Sequence, residues 1–289
     1  MEGNVNGNMN MDYDEVYKVY KCLYDEISNC CCDKDNNGIA FIGELIENTK
    51  KYVIKDINDV KLMKVNYVHN NNYLQFQGYP QGNILLLLVN NILLCFHHKR
   101  FPFTFQHFDH FDDLTSQSIT FLNNIYTTHP PQLTKSFLHL IGERGILTTL
   151  GIRTTPGSIS NYIPPDINLL ISHFNDKHTK PNPNNPKPSS SSILTVGARA
   201  LCKHSQRSSE HFWPNDKGSE SLKNEKAFNL LNMFFTSSTW INIHGLPHNI
   251  AIVELRITEG YGIRWETTGI FRGFLEPQMI NGHEKGWKH

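Results

Sequence analysis

The chain has 289 residues, 27 basic and 27 acidic side chains, and 39% apolar residues. That length admits one large domain or two small ones, and the apolar content is enough for a packed core, which excludes wholesale disorder. A net charge of zero argues against a polyanion-binding protein driven by bulk electrostatics, and so against nucleic acid as a partner, although it leaves room for a local basic site.

In chain order, residues 1–12 are rich in Asn and low in complexity, without the basic start and apolar centre of a signal peptide, and read as an unstructured tail. From Tyr13 the apolar positions Val16, Tyr20, Leu23 and Ile27 recur at three- and four-residue steps, which predicts an amphipathic helix ending near Cys30-Cys31-Cys32. These cysteines, with Cys22, Cys95 and Cys202, form no Cys-x-x-Cys pair and no framework spacing, so a reducing compartment, cytoplasmic or nuclear, is expected. A second helix is expected over 39–51, with Phe41, Leu45 and Ile46 on one face, and Tyr73 to Phe76 alternates like a short strand. Ile84 to Phe96 reads ILLLLVNNILLCF. It falls short of the roughly 20 residues of a bilayer span, so it reads as a buried core helix and no membrane contact is expected.

The aromatic run Phe101 to Phe111 is expected to pack its rings on the core. Helices are predicted over 113–125 and 132–143, the second just after Pro130-Pro131, and another opens at Pro164-Pro165-Asp166 and carries Ile167, Leu169, Leu170, Ile171 and Phe174. Asn175 to Ser192 (NDKHTKPNPNNPKPSSSS) has no apolar residue and reads as a flexible insert. The organisation expected is a single domain over 13–289 interrupted at 175–192; the alternative is a helical domain over 13–174 followed by an α+β domain over 193–289.

Beyond the insert, Thr195 to His204 and Lys223 to Phe235 predict helices, and Trp240 to His244 alternates like a strand. Asn249 to Thr258 (NIAIVELRIT) is the clearest strand, rich in β-branched residues, with Ala251, Val253, Leu255 and Ile257 on a core face. Glu259-Gly260 fits a turn that pairs Tyr261 to Glu266 back as a hairpin, Gly269 punctuates again, and Phe271 to Leu275 supplies a third strand. The fold class expected is α+β, a mostly helical N-terminal part packed with a small antiparallel C-terminal sheet.

The groups that could carry chemistry concentrate late in the chain, where all four Trp and six of the 15 His lie beyond residue 200. On the polar face of the 249–258 strand, Glu254 and Arg256 are two residues apart, and Arg264 and Glu266 share a face of the next strand. Pairing would gather two acids and two arginines on one surface. His244 adds an acid–base group, so the catalytic candidates are His244, Glu254, Arg256 and Arg264. The ligand-binding candidates are Arg199, Lys203 and Arg207, a basic stripe if the helix continues, with His204 and Trp265. His244 and His248 are four apart, but Pro247 argues against a helix that would join them as metal ligands, and neither metal nor cofactor is expected. No GxxxxGK[ST], GxGxxG, HExxH or GxSxG motif occurs, which removes the main support for phosphate-loop, Rossmann, zincin and α/β-hydrolase chemistry.

The block GARALCKH, WINIHGLPH, GYGIRW and FRGFLEPQM-GHEKGW between Leu194 and His289 resembles one shared by an uncharacterised eukaryotic protein family. The resemblance implies no activity and assigns no residue a role. The expectation from sequence is a soluble intracellular binding or adaptor module that meets a protein partner or a small anionic ligand through its C-terminal sheet. The alternatives are an enzyme with a His/Glu/Arg pocket between that sheet and the N-terminal helices, and nucleic-acid binding by the basic helix.

Overall fold

The computed structural model describes residues 13–29, 45, 47–52, 54–56, 58–59, 67–70, 73–76, 78–99, 117, 120–124, 130–153, 157–159, 162–178, 192–206, 212–248 and 250–277. The N-terminal tail, the Cys30-Cys31-Cys32 triplet, the aromatic run 101–111, most of the 175–192 insert, Arg207 and the last twelve residues lie outside them. The fold is α+β. The helices are α1 (Tyr13–Asn29), α2 (Ile84–His98), α3 (Pro130–Thr149), α4 (Ile167–Asn175), α5 (Val196–Ser205) and α6 (Glu220–Ser237). The strands are β1 (Tyr67–Asn70), β2 (Tyr73–Phe76), β3 (Ile152–Arg153), β4 (Trp240–Leu246), β5 (Ile250–Arg256), β6 (Gly262–Glu266) and β7 (Phe271–Leu275). Residues 45 and 47–51, 117 and 120–123 are also helical, inside the helices expected over 39–51 and 113–125.

Local sequence explains most of these elements. α1 buries Val16, Val19, Tyr20 and Leu23 on the stripe that the three- and four-residue spacing marks out. α2 is apolar all round and buried, as a core helix must be. Asn83 caps its N-terminus by accepting from the Leu86 N–H, and Asn91 donates to the Thr149 carbonyl at 2.7 Å, so its polar breaks are satisfied inside the core. Among the described residues no helix is long and apolar enough to cross a membrane. α3 extends beyond the expected 132–143 because its chain kinks at Gly142 and then resumes helical geometry to Thr149. Asp166 caps α4 and also takes Lys51 Nζ at 2.7 Å and the Tyr52 hydroxyl, which ties the early chain to the start of that helix.

The main sheet runs β3-β4-β5-β6-β7. β4 to β7 form an antiparallel meander, with Gly260 and Gly269 at positive φ in the two turns where the sequence places them. β3, which precedes the 175–192 insert, pairs parallel to β4 as an edge strand that sequence reasoning did not anticipate. One sheet face carries Ile152, Ile241, Ile243, Val253, Leu255, Ile263 and Trp265, which join Leu170 and Phe174 of α4, Ala198 and Leu201 of α5, and Leu231, Phe234 and Phe235 of α6 in one buried cluster. The opposite face carries Arg153, Asn242, His244, Glu254, Arg256, Arg264 and Glu266, with Ile252 fully buried between His244 and Glu266.

This arrangement corrects one expectation directly. Trp265, a ligand-binding candidate from sequence, is fully buried on the core face, stacks on Phe235 with ring centroids 5.7 Å apart, and donates Nε1 to the Leu170 carbonyl at 3.1 Å. Period-two alternation requires this: Arg264 and Glu266 face the polar side, so the residue between them faces the core.

Candidate functional site

The polar face is organised by strand register. Arg153 pairs with Asn242, Asn242 with Glu254, Glu254 with Arg264, and Arg264 with Gly273, so a single row of residues crosses all five strands. His244 sits two residues along β4 from Asn242, on the same face. Ser158 bridges opposite His244 and donates its hydroxyl to Asn242 Oδ1 at 2.6 Å.

Glu254 is the centre of the row and only 5% exposed. Arg256 Nε donates to its Oε1 at 2.6 Å, and His244 Nε2 lies 3.3 Å from its Oε2. Burial alone would push the Glu254 carboxyl up, but the His244 hydrogen bond and the Arg256 charge outweigh burial and hold it below its ordinary value. The group is therefore a carboxylate at neutral pH, and the imidazole is oriented by it much as a catalytic Asp orients His in hydrolytic triads. His244 Nδ1 has no hydrogen-bond partner among the described residues, and the side chain is 20% exposed.

The two arginines predicted for this face differ in what they can still do. Arg256 is committed: besides Glu254, its Nη1 donates to the Gly260 carbonyl at 2.5 Å and the Glu276 carbonyl at 2.9 Å. Arg264 is not. Its Nε is buried without a hydrogen-bond partner among the described residues. Burial pulls its guanidinium below the ordinary value and the Glu254 charge pulls it back, yet an arginine stays a cation throughout the range of life. A buried cationic donor without an acceptor is costly unless a ligand supplies one. Opposite Arg256 stands Gly262, where an added Cβ would come within 2.7 Å of the Leu255 carbonyl oxygen and 2.9 Å of Arg256 Cγ. Gly262→Ala is expected to destabilise the fold by about 1–3 kcal/mol, a lowering of the melting temperature by roughly 2–4 °C per kcal/mol. A thermal melt followed by circular dichroism checks it, and an unchanged melt would mean that Arg256 does not lie over this glycine.

The remaining candidates lie elsewhere. His204, on α5, is not part of this row: its Nε2 is 2.9 Å from Glu276 Oε1, which also accepts Trp213 Nε1 at 2.8 Å, and its ring meets Trp213 edge-on. Arg199 is half-buried and Lys203 exposed on α5, the helix packed against β7, and α5 ends at Ser205, before Arg207. α4, α5 and α6 pack the apolar face of the sheet, and the His/Glu/Arg group lies on the other. Sequence reasoning missed Arg153, Ser158, Trp240 and Asn242. Alternation in Trp240 to His244 puts Asn242 and Trp240 beside His244 on one face and could have found those two; nothing local marks Arg153 or Ser158.

Residues 183–276, about a third of the chain, match the family model of the CdiA C-terminal tRNase toxin domain. The match spans α5, α6 and the β4 to β7 meander, and so includes His244, Glu254, Arg256 and Arg264. It overturns the expectation of a binding or adaptor module and with it the argument against nucleic acid as a partner, which rested on a charge averaged over the whole chain. It also replaces the description of the chain as an uncharacterised soluble intracellular protein. Comparison with curated proteins and with solved structures matches nothing.

Proposed function

We propose that the chain is an RNA-cleaving endonuclease whose active site is the polar face of the β4 to β7 sheet, with tRNA as the substrate class that the family similarity suggests. The observation that supports it most is the convergence of an oriented imidazole, an ionised carboxylate and an uncommitted guanidinium inside the matched segment. Cleavage of RNA through its own 2′-hydroxyl needs those three functions: a base for the hydroxyl proton, a group to hold the base, and a cation for the charge that grows on phosphorus-bound oxygen. In this reading His244 takes the 2′-hydroxyl proton while Glu254 holds the ring. The O2′–P bond forms, the P–O5′ bond breaks, Arg264 neutralises the pentacoordinate phosphate, and the departing 5′-oxygen takes a proton from water. Arg256 keeps Glu254 in place.

The test is incubation of the full chain with a mixture of tRNAs, followed by analysis of the new ends. The expected products carry a 2′,3′-cyclic phosphate and a 5′-hydroxyl. Intact tRNA, or fragments ending in a 3′-hydroxyl and a 5′-phosphate, would overturn the reading.

A further inference from the structure

The matched segment does not contain the whole polar face. The parallel pairing of β3 with β4 brings Arg153 into the same row as Asn242, Glu254 and Arg264, from a stretch of chain that precedes residue 183. Arg153 lies with its guanidinium carbon 5.4 Å from the centre of the Trp240 ring, and Trp240 is only half-buried. A cation over one face of an indole leaves the other face to stack, and that combination of aromatic plane and arginine is how proteins hold single-stranded nucleic acid without reading its sequence. Arg153 and Arg264 are separated by the two intervening strands β4 and β5, which places them about 14 Å apart at the usual strand spacing. That spacing leaves room for each to meet a phosphate of its own.

Resting on the RNA-cleaving reading above, we infer that Arg153 and Trp240 form a second nucleotide subsite beside the scissile phosphate, with the indole stacking a base and Arg153 taking the phosphate next to it. Residues outside the matched segment would thus complete the substrate groove, and Ser158, which bridges to His244 and bonds Asn242, would brace it.

The probe is a short 2′-O-methyl oligoribonucleotide, which has no free 2′-hydroxyl to attack with, titrated against the full chain at several salt concentrations. Arg153→Gln is expected to weaken binding about tenfold and to reduce the slope of log affinity against log salt by about 0.7. Arg153→Lys should keep the slope, and Lys203→Gln, on α5, should leave both quantities unchanged. Trp240→Phe leaves the fold least disturbed and should abolish the change in tryptophan fluorescence that the oligonucleotide causes in the unmodified chain. The subsite is refuted if the unmodified chain binds the probe and cleaves tRNA while Arg153→Gln and Trp240→Phe bind with the same affinity, slope and fluorescence change. It is also refuted if Lys203→Gln lowers the slope as much as Arg153→Gln. If the unmodified chain neither binds the probe nor cleaves tRNA, the RNA-cleaving reading fails first and the subsite goes with it.

Discussion

Glu254→Gln is expected to slow tRNA cleavage by about 10²–10⁴-fold, with most of the loss in kcat rather than KM. The substitution keeps the side chain's shape, so a Gln oxygen can still accept from Arg256 Nε. It removes the charge that holds the imidazole of His244 as a proton acceptor, and no other carboxylate contacts that ring among the described residues. The effect is separable from a loss of fold. The Glu254 carboxyl is held below its ordinary value, so its contribution to stability is present above about pH 4.3, the ordinary glutamate value, and is lost as pH falls through the depressed one. Glu254→Gln should therefore melt earlier than the unmodified chain at neutral pH and approach it in acid. The same depression means that an acid limb in the rate between about pH 5 and 7 cannot come from Glu254. A Glu254→Gln protein that is folded by circular dichroism and cleaves at the unmodified rate would remove Glu254 from the site.

What the sequence discloses of this site depends on how far apart the interacting residues are. The alternation of Ala251, Val253 and Leu255 with Ile252, Glu254 and Arg256 is local, and it assigns the faces of β5 correctly. The turn at Gly260 is also local, and with it the register that sets Arg264 opposite Glu254. The Ile84 to His98 helix and the α+β class follow from the same kind of short-range pattern. β3 does not. It has two residues, too few to show any period, and its place is decided by a parallel pairing with a strand almost 90 positions further on. The partner of His204 is equally remote: its helix is legible, but Glu276 lies 72 residues away. Net charge misled for a related reason. It sums over 289 residues, whereas Arg153, Arg256 and Arg264 share one face with Glu254, and association depends on that local arrangement.

Trp265→Ala is expected to be the most destabilising single substitution in the sheet, costing about 3–5 kcal/mol and lowering the melting temperature by about 6–20 °C. The ring is completely buried between the sheet and α4 and α6, so its removal leaves a cavity lined by Phe235 and Phe271, and it strands the Leu170 carbonyl that Nε1 now satisfies. Trp265→Phe separates the two contributions. It keeps most of the aromatic packing and loses the hydrogen bond, so about 1–3 kcal/mol should remain. Neither variant should alter the affinity of the folded protein for RNA, because the residue faces away from the row that contains Glu254. This is also the sharpest test of which sheet face meets the substrate. Were Trp265→Ala to melt near the unmodified temperature and yet lose RNA binding, the tryptophan would have to face ligand, and the apolar and polar faces assigned to β6 would be exchanged. The polar row could not then hold Arg264 opposite Glu254, since alternation along one strand fixes both residues together.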